Sequence, residues 1–425
     1  MRRLTAATNS ATVSIMSDES RFSAALPRLL FLTLVVFMGI LPRLLLAPML
    51  LRISQAFNVS YSDLSGLFLT GSLGFVTGLL TSGFVASRLT HRWTIVASIG
   101  VNAIALLALS TVRGLAGFHI GFIAINWASG LYPGSGIASV IALVRPDRRG
   151  TALAIHESGP NLAFLMAPIL VAVLAPFLGW RGLFRVTGLA ALLVAVAFAL
   201  FGTASSERGQ SPSFQNVSLF LRNKPFWVVS VLFVVSASGA MGVFSVLPTY
   251  LMVDHALPEG LVNTLVGLSR VTGFASILLA GTLADRHGFR LVVIVVLGTT
   301  GIVTMVLGFA SGVPLLVAVF LQPLLVGAFF PLGLSALSDV APPQSRNLAV
   351  ALAIPLANFF GAGVTPRLMS WAGAAGSFRL SFVVLGALTL ASLWLLRWMG
   401  PKAMGPRVDT TRAHPNNPAM EEPCP

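Results

Sequence analysis

The sequence predicts an all-α membrane protein with twelve transmembrane helices in two six-helix repeats, and three observations carry that prediction. Hydrophobic residues make up 56% and charged residues 9% of the 425 residues, against about 25% charged in a soluble domain. Apolar runs of roughly 20 residues, the length that crosses a bilayer as a helix, recur from Leu29 to Met399. Stretches far apart in the chain also read as copies of one another at a near-constant offset.

The apolar runs place spans at 29–50, 62–84, 94–112, 118–143, 151–175, 183–203, 226–250, 261–283, 290–310, 313–338, 347–369 and 378–399. With the N-terminus inside, nineteen of the 27 Lys and Arg fall on the cytoplasmic side. Six lie at the outer ends (Arg52, Arg113, Arg181, Arg185, Arg367, Arg379), and Arg43 and Arg270 lie within spans. Cytoplasmic loops carry the positive excess in membrane proteins, so both termini are expected in the cytoplasm, at a plasma (inner) membrane of bacterial type. The net charge of +14 thus records topology, and no basic stripe interleaved with aromatics marks a nucleic-acid surface.

Residues 1–26 lack an apolar core and a cleavage site, so they read as a disordered cytoplasmic tail and not as a secretory signal; Met16 is an alternative start. Residues 401–425, rich in Pro, Asn and Thr, read as a second disordered tail. Cys424 is the single cysteine and the six histidines are scattered, so neither a disulfide framework nor a metal site is expected. No cofactor is expected, and the chain lacks a G-x-x-x-x-G-K-[ST] loop for an ATP-driven pump. No nucleophile, base and orienter set can be assembled, which argues against an enzyme.

The repeat is visible in two places. Gly83 to Arg92 (GFVASRLTHR) after span two matches Gly281 to Arg290 (GTLADRHGFR) after span eight, 198 residues on. Arg149 to Asn161 (RGTALAIHESGPN) matches Arg346 to Asn358 (RNLAVALAIPLAN) at an offset of 197, and Pro48 matches Pro248. A duplicated six-helix unit follows, with bundles at 27–203 and 226–400 and a polar cytoplasmic linker at 204–225.

On these residues the chain resembles the major facilitator superfamily, whose hallmark is a G-x-L-a-D-R-x-G-r-[RK]-like loop after spans two and eight. The second copy is nearly intact, with Gly281, Asp285, Arg286, Gly288 and Arg290. The first keeps Gly83, Arg88 and Arg92 but has Ser87 at the Asp position and Thr90 at the second Gly position. The resemblance covers roughly 27–400 and implies alternating access by two rocking bundles around a midplane cavity. It also implies that the two loops latch the cytoplasmic side of the outward-open state, Asp285 pairing with Arg286 or Arg290 and with a helix terminus.

A charge near the bilayer centre costs about 2.5–3.5 kcal/mol on the insertion scale, so each one is a candidate for function. Arg270 lies near the centre of span eight and Arg43 slightly outside the centre of span one. Two guanidiniums facing one cavity suit a carboxylate or another oxyanion, which the planar fork binds bidentately. Glu157 is the sole acid within a span, so it and the adjacent His156 are candidates for proton coupling. Asn161, four residues on from Glu157, its repeat mate Asn358, and Asn126 and Gln322 are candidate substrate contacts or glue between helices. Three G-x-x-x-G pairs, Gly74/Gly78, Gly117/Gly121 and Gly130/Gly134, read as close helix contacts.

The expected function is a monomeric secondary transporter coupling protons to a small organic or inorganic anion. The alternative is a proton-driven exporter of hydrophobic or cationic compounds, to which Gly159 and Pro160 bear a resemblance. The exporter pattern then departs: Ala163 and Phe164 follow where glycines are expected, Asn126 stands where an Arg falls in span four, and no acid lies in spans one or four.

Overall fold

A computed structural model describes residues 2–209, 217–341 and 346–399, with side chains from residue 22 onward except 219, 274–282, 284–285 and 346–347. All regular structure among these residues is helical. The spans are α1 (Phe22–Phe57), α2 (Tyr61–Leu89), α3 (His91–Leu109), α4 (Leu115–Leu143), α5 and α6 (149–178 and 180–201), α7 (Lys224–Val253), α8 (Glu259–His287), α9 (Phe289–Phe309), α10 (Gly312–Val340), α11 (346–374) and α12 (Phe378–Trp398). Twelve helices in two repeats are therefore observed. No irregular loop separates α5 from α6, because Gly179 alone turns the chain, with φ 62° and ψ 177°, a conformation essentially confined to glycine. At the other extreme, the first helix runs back to Arg2, where the sequence reading expects a disordered tail; no Gly or Pro between residues 2 and 26 interrupts it. The tail at 401–425 lies outside the described residues.

Within hydrocarbon, apolar side chains gain little from one another, so close backbone approach and interhelical hydrogen bonds hold the bundles together. Gly74 faces the Ile123 carbonyl so closely that an added Cβ would sit 2.6 Å from it, and Gly78 and Gly130 abut the Trp127 and Phe75 carbonyls in the same α2–α4 contact. Gly134 has no such neighbour, so the third G-x-x-x-G pair is tight at one glycine only. Polar glue converges on one turn of α1: Asn102 on α3 donates to the Gly39 carbonyl at 3.1 Å and to Ser129 Oγ at 3.1 Å, and Ser129 donates to Gly39 at 2.6 Å. The second bundle repeats the device with another residue. Gln322 on α10 donates to the Gly239 carbonyl of α7 at 2.8 Å.

Three cavity-side helices depart from regular winding. α1 has a turn at Leu45 between Pro42 and Pro48, each of which withholds a backbone N–H from the ladder. α7 and α11 each contain a π-helical turn, at Ser238–Gly242 and Phe359–Val364. These two turns pack on each other, since Thr365 Oγ1 donates to Ser238 Oγ at 2.8 Å and Gly361 abuts Ala237. π-bulges occur frequently at functional sites.

The duplicated loop keeps its geometry where its sequence has decayed. Gly288 turns the chain from α8 to α9 at φ 83° and ψ 147°, and Thr90 makes the same turn from α2 to α3 at φ 100° and ψ 161°. For a β-branched residue this is a strained backbone, worth about 1–3 kcal/mol. The linker supports it: Glu207 and Ser205 carbonyls accept from the His91 and Arg92 amides at 3.1 and 3.2 Å, and the Gly209 amide donates to Ala86 at 3.1 Å. The first two bonds satisfy donors that the start of α3 leaves orphaned, and the third serves an acceptor at the end of α2. Thr90→Gly should stabilise the chain by about 1 kcal/mol, since relief of strain outweighs the few tenths lost with the weak cap to Trp93. Gly288→Thr should destabilise it by a similar amount. Thermal unfolding in detergent checks both, and a lower midpoint for Thr90→Gly would refute the strain.

Candidate functional site

The two bundles face each other across a cleft whose ends differ. The linker end is where 204–225 joins the bundles, and the far end is opposite. At the far end, Arg52 of α1 holds Glu259 of α8 bidentately, Nε to Oε1 at 3.1 Å and Nη2 to Oε2 at 2.7 Å. Arg367 of α11 donates to the Ser62 carbonyl and, at 3.1 Å, to Ser65 Oγ of α2. Tyr61 stacks on Phe378 at 5.9 Å. Near mid-height the bundles meet along two seams. On the α5–α8 seam, Gly267 faces the Leu165 carbonyl and Ile169; on the α2–α11 seam, Gly363 abuts Ser72 and Leu69. Between them, Phe164 of α5 meets Phe244 of α7 edge to face at 5.0 Å.

Both intramembrane arginines lie at this level. Arg270 is 9% exposed, and its Nε and Nη2 have no hydrogen-bond partner. Its guanidinium lies 4.7 Å from the centre of the Phe244 ring. Arg43 is half-buried, with its guanidinium 4.0 Å above Phe75 of α2. Among the described residues neither has an acidic partner. Stacking on a ring contributes about 0.5–2 kcal/mol, less than the cost of placing a guanidinium near the bilayer centre. The phenylalanine partners carry no signal in sequence, because an aromatic residue in an apolar span looks like packing.

Glu157 departs from expectation. It is not buried: its side chain is 53% exposed and pairs with His156, Nδ1 to Oε1 at 3.2 Å. Glu157, Asn161 and Phe164 follow at i, i+4 and i+7, one face of a helix. Phe164 meets the opposite bundle, so the exposed Glu157 lies on the cleft-facing stripe toward the linker end. His156, turned about 100° away, is buried in the first bundle, where Nε2 lies 2.8 Å from the Tyr132 hydroxyl of α4; that hydroxyl also reaches the Leu32 carbonyl of α1 at 3.1 Å. Tyr132 is the partner that sequence reasoning missed, because no spacing rule links residues 24 apart on different helices.

The amides divide. Asn161 lies on the cleft stripe and donates to its own helix at Glu157. Asn358 is nearly buried beside the α11 π-turn with its Oδ1 unpartnered. Asn126 is 3% exposed and donates to the Phe122 carbonyl while packing on Gly71. Gln322 donates to the Gly239 carbonyl and leaves its Oε1 unpartnered. Gly159 meets Thr33 and Val36 of α1, a helix contact that accounts for the Gly159–Pro160 pair without an exporter's chemistry. Of the latch residues, Gly83 is half-buried, Gly288 is buried and Arg88, Arg286 and Arg290 are exposed, while Arg92 donates to the Ala199 carbonyl at 2.9 Å. The side chains of Gly281 and Asp285 lie outside those described.

Two repeated six-helix bundles with irregular helices meeting at a midplane cleft are the architecture of secondary membrane transporters. The chain belongs to the Major Facilitator Superfamily, which it matches over residues 32–276 and 244–421. It is therefore a multi-pass membrane transporter of the secondary type and not an enzyme. It is 24% identical to the cis,cis-muconate transport protein of Acinetobacter baylyi over 366 residues, 81% of this chain and 86% of that protein. Over 120 residues, 28% of this chain and 27% of the other, it is 33% identical to a probable sulfoacetate transporter of Cupriavidus necator. Among solved structures, the fold is similar to a bacterial homologue of the human lysosomal transporter Spinster in an inward-facing, occupied conformation (TM-score 0.75, 16% identity, 89% of this chain and 97% of that one). It is also similar to a D-xylose–proton symporter (TM-score 0.72, 16% identity, 88% and 98%).

The Arg52–Glu259 pair should bias the cleft toward closure at the far end. A partly exposed ion pair contributes up to about 1 kcal/mol, or about a fivefold change in population. Arg52→Glu should therefore speed maleimide labelling of Ser62→Cys in a background lacking Cys424, and the swap Arg52→Glu/Glu259→Arg should restore the slow rate. Unchanged labelling in Arg52→Glu would show that the pair holds nothing shut.

Proposed function

We propose that the protein is a proton-coupled carrier of a small organic or inorganic anion, working by alternating access. The observation that carries this reading is Arg270, a guanidinium buried within a span with two nitrogens unpartnered. Arg43 supplies a second cation at the same depth, and the named cargoes of two relatives, muconate and sulfoacetate, are anions. On this reading 27–203 and 226–400 are the rocking bodies joined by 204–225. The linker end is cytoplasmic by its excess of Lys and Arg, as are both termini, at an inner membrane. Closed at the far end, the arrangement described here is then the inward-facing state, and the duplicated loops engage when the linker end closes.

Glu157 and His156 carry the proton. An ionised carboxylate only accepts hydrogen bonds, so the Glu157–His156 contact requires one proton between Oε1 and Nδ1. Tyr132 fixes the far side of the imidazole. A second proton makes the pair an imidazolium beside a carboxylate with its partner bond intact, so the site loads and unloads without losing its geometry.

Reconstitution in proteoliposomes tests the reading. Arg270→Lys keeps the charge but loses the bidentate fork, so anion affinity should fall by about tenfold or more, the worth of a charge-assisted hydrogen bond, with expression intact. Unchanged affinity in Arg270→Gln would overturn the anion site. Glu157→Gln removes the carboxylate that stabilises the imidazolium and should abolish accumulation driven by a pH gradient while leaving substrate exchange. Accumulation that persists under a pH gradient alone would remove Glu157 from the coupling.

A further inference from the structure

We infer that the transported anion has two negative groups separated by a short apolar spacer, and that Arg43 and Arg270 bind one group each. This rests on the anion reading above and narrows it to a class of substrate.

Charge balance is the first argument. Among the described residues, neither guanidinium has an acidic partner; Arg43 is met by the Phe75 ring and Arg270 by the Phe244 ring. Glu157 does not compensate them. It is held by His156 and lies two helical turns from Phe164, about 10 Å along α5 at 1.5 Å per residue. A ligand with one negative group would leave one desolvated cation unmatched when the cleft closes and water leaves. A ligand with two leaves the cavity neutral.

Placement is the second. The duplication pairs position 43 with position 243, the offset of 200 that relates Pro48 to Pro248, so Arg43 stands at the depth of Phe244, which Arg270 covers. The two cations share a level but belong to different bundles and different seams. Phe75 is one turn from Ser72, which meets Gly363 on the α2–α11 seam, and Arg270 is one turn from Gly267, which meets Ile169 on the α5–α8 seam. A carboxylate that bonds one fork bidentately spends both oxygens there, so the other arginine takes a second, linked carboxylate.

The company of the cations is the third. Phe75 backs Arg43, Phe244 backs Arg270, and the half-buried Phe164 meets Phe244; apolar rings of this kind suit methylene or conjugated carbons and offer hydroxyl-rich spacers no partner. A substrate held by both bundles also makes contacts in the closed cleft that are absent when it is open, so it favours closure by that difference. A one-headed anion binds one bundle and leaves the equilibrium unmoved.

The test compares adipate with hexanoate, and succinate with butyrate, on the purified full-length chain by thermal shift and by counterflow in proteoliposomes. The expected result is that each two-headed anion binds at least about tenfold more tightly than its one-headed counterpart, one charge-assisted contact being worth that much. Arg43→Gln and Arg270→Gln should each bring adipate down to the affinity of hexanoate. Equal affinity for adipate and hexanoate in the unmodified protein would overturn the inference while leaving the anion reading intact. Binding of neither kind would overturn both. A preference for adipate that survives in both Gln variants would also sink it, and Arg43→Lys and Arg270→Lys repeat the comparison if a Gln variant fails to fold.

Discussion

A guanidinium held inside a membrane span with no acidic partner among the described residues organises this molecule. Hydrocarbon tolerates neither unsatisfied backbone groups nor free charge, so Arg270 can persist only on the inner side of a bundle, against an aromatic face. That requirement fixes which face of α8 turns inward and brings Phe244 of α7 over it. It also draws Phe164 across from the first bundle. The small residues on the seams, Gly267 against Ile169 and Gly363 against Ser72, let the bundles close to backbone distance.

The bundles themselves are stiff for the same reason. Gly39 and Gly239 occupy corresponding turns of α1 and α7, and each carbonyl is held by side-chain donors from neighbouring helices, the Asn102 amide with the Ser129 hydroxyl in one case and the Gln322 amide in the other. The chemistry is conserved between the halves although the residues are not. The irregular turns at Leu45, Ser238–Gly242 and Phe359–Val364 lie in helices that border the cleft, where a freed carbonyl can be met by a neighbour or by water. Rigid bundles with irregular cleft-lining helices suit rocking motion about a fixed site.

The far end and the linker end have different chemistry. Arg52, Glu259 and Arg367 make charge-assisted contacts between bundles that a small rotation can break and remake. At the linker end the basic residues of the duplicated loops are mostly exposed, and the linker holds the degraded loop in the same conformation as its better-preserved copy. Thr90 sits where glycine belongs because three linker hydrogen bonds over-determine the turn.

The sequence by itself determined the class, the twelve spans, the duplication and the two arginines within spans, because each of these is a matter of composition, run length or spacing along one chain. It also marked Glu157 and His156 as unusual. The depth and company of those residues were decided only in three dimensions. Glu157 is an acid in an apolar run, yet it is exposed, since its helical face looks into a cleft between bundles and not into packed protein. Only the fold shows which carbonyls the amides of Asn126 and Gln322 serve, at Phe122 and Gly239. Tyr132, Phe75, Phe244 and the Arg52–Glu259 pair were invisible because they depend on which helices become neighbours. Periodicity reveals the face a residue occupies, and only the packing of helices reveals what that face meets.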